Sequence, residues 1–179
     1  MRNRFKQMNI TFNPVEDRLL LKMTAGEPGS LAEYRFWLTR RFVMILWKAF
    51  DKILGEDEST GMQISPVNIN AIKQFQQEAV LSKADFTTSY ATDEIISTPL
   101  GPKPLLVSKI QIKKGPAGQQ TLSLLTPDYK SINLDMDNNL IYSIRKLLAE
   151  AAKKAEWSIP FLFIPDETEK RPQSAESMN

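Results

Sequence analysis

The chain has 179 residues, 42% hydrophobic and 25% charged, with a formal net charge of +2 and neither cysteine nor histidine. The missing cysteine excludes a disulfide-stapled fold and thiol chemistry. With histidine missing as well, imidazole catalysis is excluded and the usual zinc, iron–sulfur and haem sites lose their ligands.

The length favours one domain, or two small ones sharing a core, and suffices to bury roughly 70% of the unfolded chain's surface. The last fifteen residues carry four acids against two bases, so the body is near +4. That is mildly basic, far from a protein that coats DNA. The longest fully apolar run is Phe42–Trp47, against about 20 residues for a membrane span. Met1-Arg2-Asn3-Arg4-Phe5-Lys6 is basic without an apolar segment behind it. It does not read as a secretory signal, so a cytoplasmic location is expected.

Ile10 and Phe12 alternate with Asn9 and Thr11 as a first short strand. Asn13-Pro14-Val15-Glu16-Asp17 carries turn chemistry. Arg18–Thr24 is the next strand, with Leu19, Leu21 and Met23 on one face, and the segment 26–30 breaks it with two glycines. In a third strand Tyr34, Phe36 and Leu38 share one face, and Glu33, Arg35 and Trp37 the other. A helix over Leu31–Leu54 competes, because Tyr34 and Leu38 are also four apart.

Thr39 caps a helix from about Arg40, whose apolar residues Phe42, Val43, Leu46, Trp47, Phe50, Ile53 and Leu54 repeat at helical spacing. Met44, Ile45 and Ala49 widen that arc, predicting contacts on several sides. Gly55–Gly61 is a polar connection. Ser65-Pro66 opens a linker helix over about 66–82, with Ile69, Ile72, Phe75, Ala79 and Val80 on its apolar face. Residues 83–98 are ambiguous, with an extended reading through Phe86, Tyr90, Ile95 and Ile96. Pro99–Pro104 separates the two halves.

Leu106–Lys113 alternates as a strand, and Gly115-Pro116-Ala117-Gly118 is its hairpin loop. Leu122 and Leu124 mark the return. Thr126-Pro127-Asp128-Tyr129-Lys130 fits a type I turn with proline at its second position. Ile132, Leu134 and Met136 face inward from the next strand. Asp137 caps a helix burying Leu140, Ile141, Ile144, Leu147, Leu148, Ala151 and Ala155, with Lys153 and Lys154 at its negative end. Ile159, Phe161 and Phe163 indicate a last strand, and residues 165–179 a disordered polar tail.

Strand–strand–strand–helix thus occurs twice, over about 8–54 and 105–155. The expectation is a single α+β domain over 1–164, with two antiparallel sheets, three helices and halves related by a pseudo-twofold. The expected core is Leu19, Leu21, Phe36, Phe42, Leu46, Phe50, Ile110, Leu122, Leu134, Leu140, Ile144 and Leu148.

No glycine-rich phosphate loop is present. Glu56-Asp57-Glu58 lacks the spacing of a calcium loop and reads as a solvated run, although carboxylate-bound magnesium or calcium stays chemically open. Pro127-Asp128 with Lys130 and Pro165-Asp166 with Lys170 superficially match a magnesium-nuclease signature, but one lies in a tight turn and the other in the tail. No cofactor is expected.

The outer face of the first sheet is the more informative constellation. Arg18 and Lys22 share a face on one strand, as do Arg35 and Trp37 on another. Cations beside an aromatic suit single-stranded nucleic acid, since cations meet phosphates and an indole stacks on a base. In element order alone the chain looks like the plant Whirly single-strand-binding regulators; no Whirly motif is present. The bland alternative is a solvated face with Trp37 tucked under the first helix.

Residues 33–42, Glu-Tyr-Arg-Phe-Trp-Leu-Thr-Arg-Arg-Phe, and the stretch from Thr126-Pro127-Asp128 through Ile132-Asn133-Leu134 to Lys154-Ala155-Glu156-Trp157 resemble a group of small, uncharacterised proteobacterial proteins. The resemblance covers most of the chain before the tail and implies no activity or site residue. The first expectation is a non-catalytic interaction protein, with an unidentified protein partner or a homodimer paired through sheet edges or an apolar helix surface. The alternative is a single-strand binder using Arg18, Lys22, Arg35 and Trp37. Enzyme function stands a distant third.

Overall fold

A computed structural model describes residues 5–27, 29–57, 75, 77–83, 90, 95–115 and 119–159. Strands β1 (Phe5–Asn13), β2 (Arg18–Ala25) and β3 (Leu31–Leu38) form an antiparallel meander and lead into helix α1 (Arg40–Asp57). Residues 77–83 form helix α2. The short strands β4 (Ile95–Ser97) and β5 (Leu105–Leu106) both run parallel to β3, along its edge away from β2. A second antiparallel meander, β6 (Lys109–Lys114), β7 (Gln120–Leu125) and β8 (Ser131–Met136), leads into helix α3 (Asn138–Lys154). The protein is therefore α+β, with two sheets and three helices; the first sheet is mixed because β4 and β5 are parallel. Both halves run meander then helix, and only the first gains extra strands among the described residues.

Local chemistry accounts for the junctions. The Asn13 side-chain oxygen accepts from the Val15 and Glu16 amides at 3.0 and 3.1 Å, and Asp17 takes φ +47° to complete the β1–β2 turn. Gly26 at φ +124° leaves no room for a side chain, since a Cβ there would lie 2.7 Å from the Ser30 carbonyl oxygen. Thr39 Oγ1 accepts from the Phe42 amide at 3.2 Å, and Asp137 Oδ1 from the Leu140 amide at 2.7 Å, so both long helices start on the expected caps. Residues 31–38 are a strand, so the helical alternative fails there. Helix α1 continues through Asp57, so 55–57 belong to its last turn and not to a loop.

One continuous segment serves both sheets. Leu105 and Leu106 pair with Phe36 and Trp37, and the Val107 amide donates to the Trp37 carbonyl at 3.1 Å. The next amide, Ser108, donates to Leu125 of the second sheet at 2.9 Å, and Lys109–Lys114 pair along β7. Ser108 and Lys109 are both exposed, so inward–outward alternation breaks at the crossing. The single strand read over 106–113 is in fact two strands belonging to different sheets.

The inner faces of both sheets and the apolar faces of α1 and α3 form one buried cluster running from Ile10 to Ile159. Ten of the twelve expected core residues are buried; Ile110 and Leu140 are only half-buried at its margin. Ile45 is exposed, so the apolar arc of α1 is narrower than its sequence indicates, and Phe75 is exposed too. Ile159 is buried in irregular chain rather than a strand. Residues 58–74, Phe86, the hairpin tip 116–118, Phe161, Phe163 and the tail 165–179 lie outside the described residues. Among the described residues no helix is long and apolar enough to cross a membrane.

The chain after α3 turns back onto the first half. The Glu156 amide donates to Lys153 at 3.0 Å and the Trp157 amide to Ala152 at 3.1 Å, a Schellman stop with Glu156 at φ +54° where glycine is usual. Trp157 then meets Phe12 edge-on at 6.2 Å and donates from Nε1 to Asp17 at 3.1 Å. Arg145 of α3 lies 4.2 Å over the Trp47 ring of α1 and pairs with Asp51 at 2.8 Å. With the core this continuous, truncating any central side chain leaves a cavity. Ile144→Ala is expected to cost about 2–5 kcal/mol, read as a lowered urea midpoint; a wild-type midpoint would refute its core placement.

Candidate binding face

Strand alternation and register build the site. On the side of the first sheet away from the core, β1 presents Gln7, Asn9, Thr11 and Asn13; β2 presents Arg18, Leu20, Lys22 and Thr24; β3 presents Glu33, Arg35 and Trp37. The four residues singled out from the sequence therefore share one face. Leu20 lies directly across from Trp37, and Lys22 across from Arg35. Trp37 is half-buried, lies outside the core cluster and is not tucked under α1.

The four are not equivalent. Lys22 and Arg35 are like charges facing each other across the ladder, an arrangement that destabilises a sheet unless something intervenes. Here Glu33 intervenes. Its side chain has 0% exposure and pairs with Arg35 Nε through one oxygen. The other oxygen accepts from the Tyr90 hydroxyl at 3.0 Å. The Arg35 Nη1 also donates to the Pro102 carbonyl at 2.9 Å. Lys22 places its ammonium 5.9 Å from the Tyr90 ring centre. Burial, and next the hydrogen bond to Glu33, push the Tyr90 hydroxyl well above the ordinary tyrosine range. Thr24 and Leu31 at this end are buried.

At the opposite end no comparable polar network forms among the described residues. Arg18, Leu20 and Trp37 are half-buried and Thr11 is exposed. Among the described residues Arg18 has one ionic neighbour, Glu16 at 3.6 Å, and both side chains are substantially solvated. Such a pair contributes about 0–1 kcal/mol and yields readily to a stronger anion. Chemically, the open end offers an indole surface, an aliphatic neighbour and two cations, Arg18 and Lys22, while Arg35 is tied into the buried network.

Glu33 and Tyr90 are what sequence reasoning did not single out. Glu33 carried a faint signal as the one acid on a basic face. Tyr90 carried none, being 57 residues away in the chain. Among the described residues no three acidic side chains gather as a metal site. Comparison with protein-family models, curated proteins and solved structures finds no match to this chain.

The network has its own test. Tyr90→Phe leaves a buried carboxylate oxygen without its donor, for an expected loss of about 1–3 kcal/mol. Because the folded state raises the Tyr90 pKa, its contribution is fully present below the ordinary tyrosine value of about 10 and is lost as pH rises above it. Urea midpoints at about pH 8 and about pH 11 should therefore fall further for wild type than for Tyr90→Phe. Equal falls would remove Tyr90 from the network.

Proposed function

We propose that this chain is a non-catalytic binding protein that works through the outer face of its first sheet. The observation that supports this is the open end of that face, where Trp37, Leu20, Arg18 and Lys22 adjoin one another away from the core. The ligand class that fits it best is single-stranded nucleic acid. An indole stacks on any base, and the two cations meet phosphates without reading sequence. Leu20 widens the apolar surface beside the ring, and Asn9 and Thr11 supply neutral hydrogen-bonding groups along β1.

A protein partner, including a second copy of the chain, is the second reading. It is favoured by β1, a nine-residue edge strand with no neighbour on its outer side among the described residues. The edge strand β6, by contrast, carries Lys109, Lys113 and Lys114, which discourage pairing. We place the protein in the cytoplasm, in keeping with a chain that has no cysteine. We also take the two meander-plus-helix halves as a duplication, supported by their shared element order and capped helix starts. No catalytic residue, cofactor or metal is assigned.

Anisotropy of a labelled single strand tests the nucleic-acid reading. Affinity should fall steeply with salt, because the bound cations release condensed counterions. Trp37→Ala should lose about 1–3 kcal/mol of binding, and Arg18→Glu should weaken all sequences alike. Arg35 is a poor probe, since its substitution also strands Glu33. If the wild-type protein does not bind at low salt, the nucleic-acid reading falls and the protein-partner reading stands, to be followed by sedimentation.

A further inference from the structure

The turn between β7 and β8 also displays an aromatic ring, Tyr129. The Tyr129 amide donates to the Thr126 carbonyl at 3.1 Å, closing a type I turn with Pro127 at its second position. The Thr126 amide donates to the Lys130 carbonyl at 2.9 Å, so the loop has three residues and Tyr129 occupies its last position at φ +62°. Loops of this kind put glycine there, because a left-handed backbone disfavours any Cβ. A bulky side chain in this conformation is an outlier that local propensity does not explain.

No side-chain contact among the described residues repays it. The Tyr129 side chain is 89% exposed, and among the described residues it has no hydrogen-bond or ring partner. Yet the turn beneath it is tightly built. Thr126 is buried, and its Oγ1 bonds to the Asp128 carboxylate and lies 3.1 Å from the Lys130 carbonyl oxygen. The Lys130 ammonium sits 3.3 Å from Asp128. That hydroxyl, foremost among the causes, holds the Asp128 carboxyl below its usual range. A rigid turn presents its ring with little further ordering to lose on binding.

Position supplies the ligand. The Leu125 carbonyl, one residue before the turn, accepts from Ser108, and the preceding residue, Val107, donates to Trp37. Two consecutive residues of the crossing strand thus connect the Trp37 end of the binding face to the Tyr129 turn. Ser108 and Lys109 are exposed along this path, and Lys130 follows the ring. We propose that the β7–β8 turn is a second contact for single-stranded nucleic acid, with Tyr129 stacking on a base of the strand that also covers Trp37. This rests on the nucleic-acid reading of the first sheet. It adds a separate aromatic, with Lys109 and Lys130 as the cations meeting the intervening backbone.

The test uses the full chain and a fluorescein-labelled oligothymidylate of about 20 nucleotides, long enough to reach several contacts. Tyr129→Ala is expected to weaken binding about 5- to 150-fold, the scale of one lost base–aromatic stack. Tyr129→Phe should retain most of the affinity, since the ring carries the contact. Tyr129→Gly should weaken binding like alanine and melt at or above the wild-type temperature, because glycine relieves the left-handed backbone. If Trp37→Ala weakens binding and Tyr129→Ala does not, the inference fails while the first-sheet reading survives. If the wild type does not bind, both fail. A lower melting temperature for Tyr129→Gly would show that the fold itself uses the ring, which overturns the premise.

Discussion

The segment Leu105–Lys114 holds two hydrogen-bonding commitments at once, and the architecture depends on it. Its first residues extend the first sheet along β3; its later ones open the second sheet along β7. Adjacent amides, Val107 and Ser108, donate to carbonyls of different sheets. Backbone donors must be satisfied when buried, so Val107, itself buried, fixes where the crossing occurs. Once the crossing is fixed, both inner faces close on one body of apolar side chains. The same crossing links the Trp37 backbone to that of Leu125, one residue before the β7–β8 turn.

A second constraint is the return of the chain after α3. Glu156 accepts a left-handed backbone so that Trp157 reverses onto Phe12 and Asp17. Arg40 at the start of α1 donates to the Ser158 carbonyl at 2.7 Å. Arg145, stacked on Trp47 and paired with Asp51, ties the two long helices together. Elements from the end of the chain thereby close the first half, whose own residues do not complete its boundary.

The binding face shows how one buried acid divides a surface into two regions. Glu33 pairs with Arg35 and accepts from the Tyr90 hydroxyl, so one end is sealed by a satisfied polar network. A carboxylate this deep is tolerated only with such partners, since an unpaired buried charge is strongly unfavourable. Among the described residues the other end has no comparable seal. Arg18 and Lys22 have solvated or aromatic neighbours, and Trp37 keeps part of its ring in water. The solvated cations and the half-buried indole therefore lie at the Trp37 end, next to the crossing segment.

Much of this was written locally in the chain. Alternation assigned the faces of β2 and β3, the caps Thr39 and Asp137 set the helix starts, and Pro127 marked its turn, because each depends on residues two to four positions apart. The four candidate side chains fell on one face for the same reason, a strand period of two. Tertiary structure decided the rest. Whether residues 105–114 made one strand or two depended on partners in β3 and β7, which local pattern does not name. Glu33 was readable as an outer residue, but its burial was set by Tyr90 and its unequal effect on the three cations followed from that. Tyr129 was readable as a turn residue; its left-handed backbone and bare ring emerged only once the ladder between Thr126 and Lys130 closed. The sequence by itself determined which way each side chain points along its own element, because that is a matter of local backbone geometry. Which of those faces became core, seal or open surface was decided by long-range pairing, because burial depends on what the rest of the chain brings against a face.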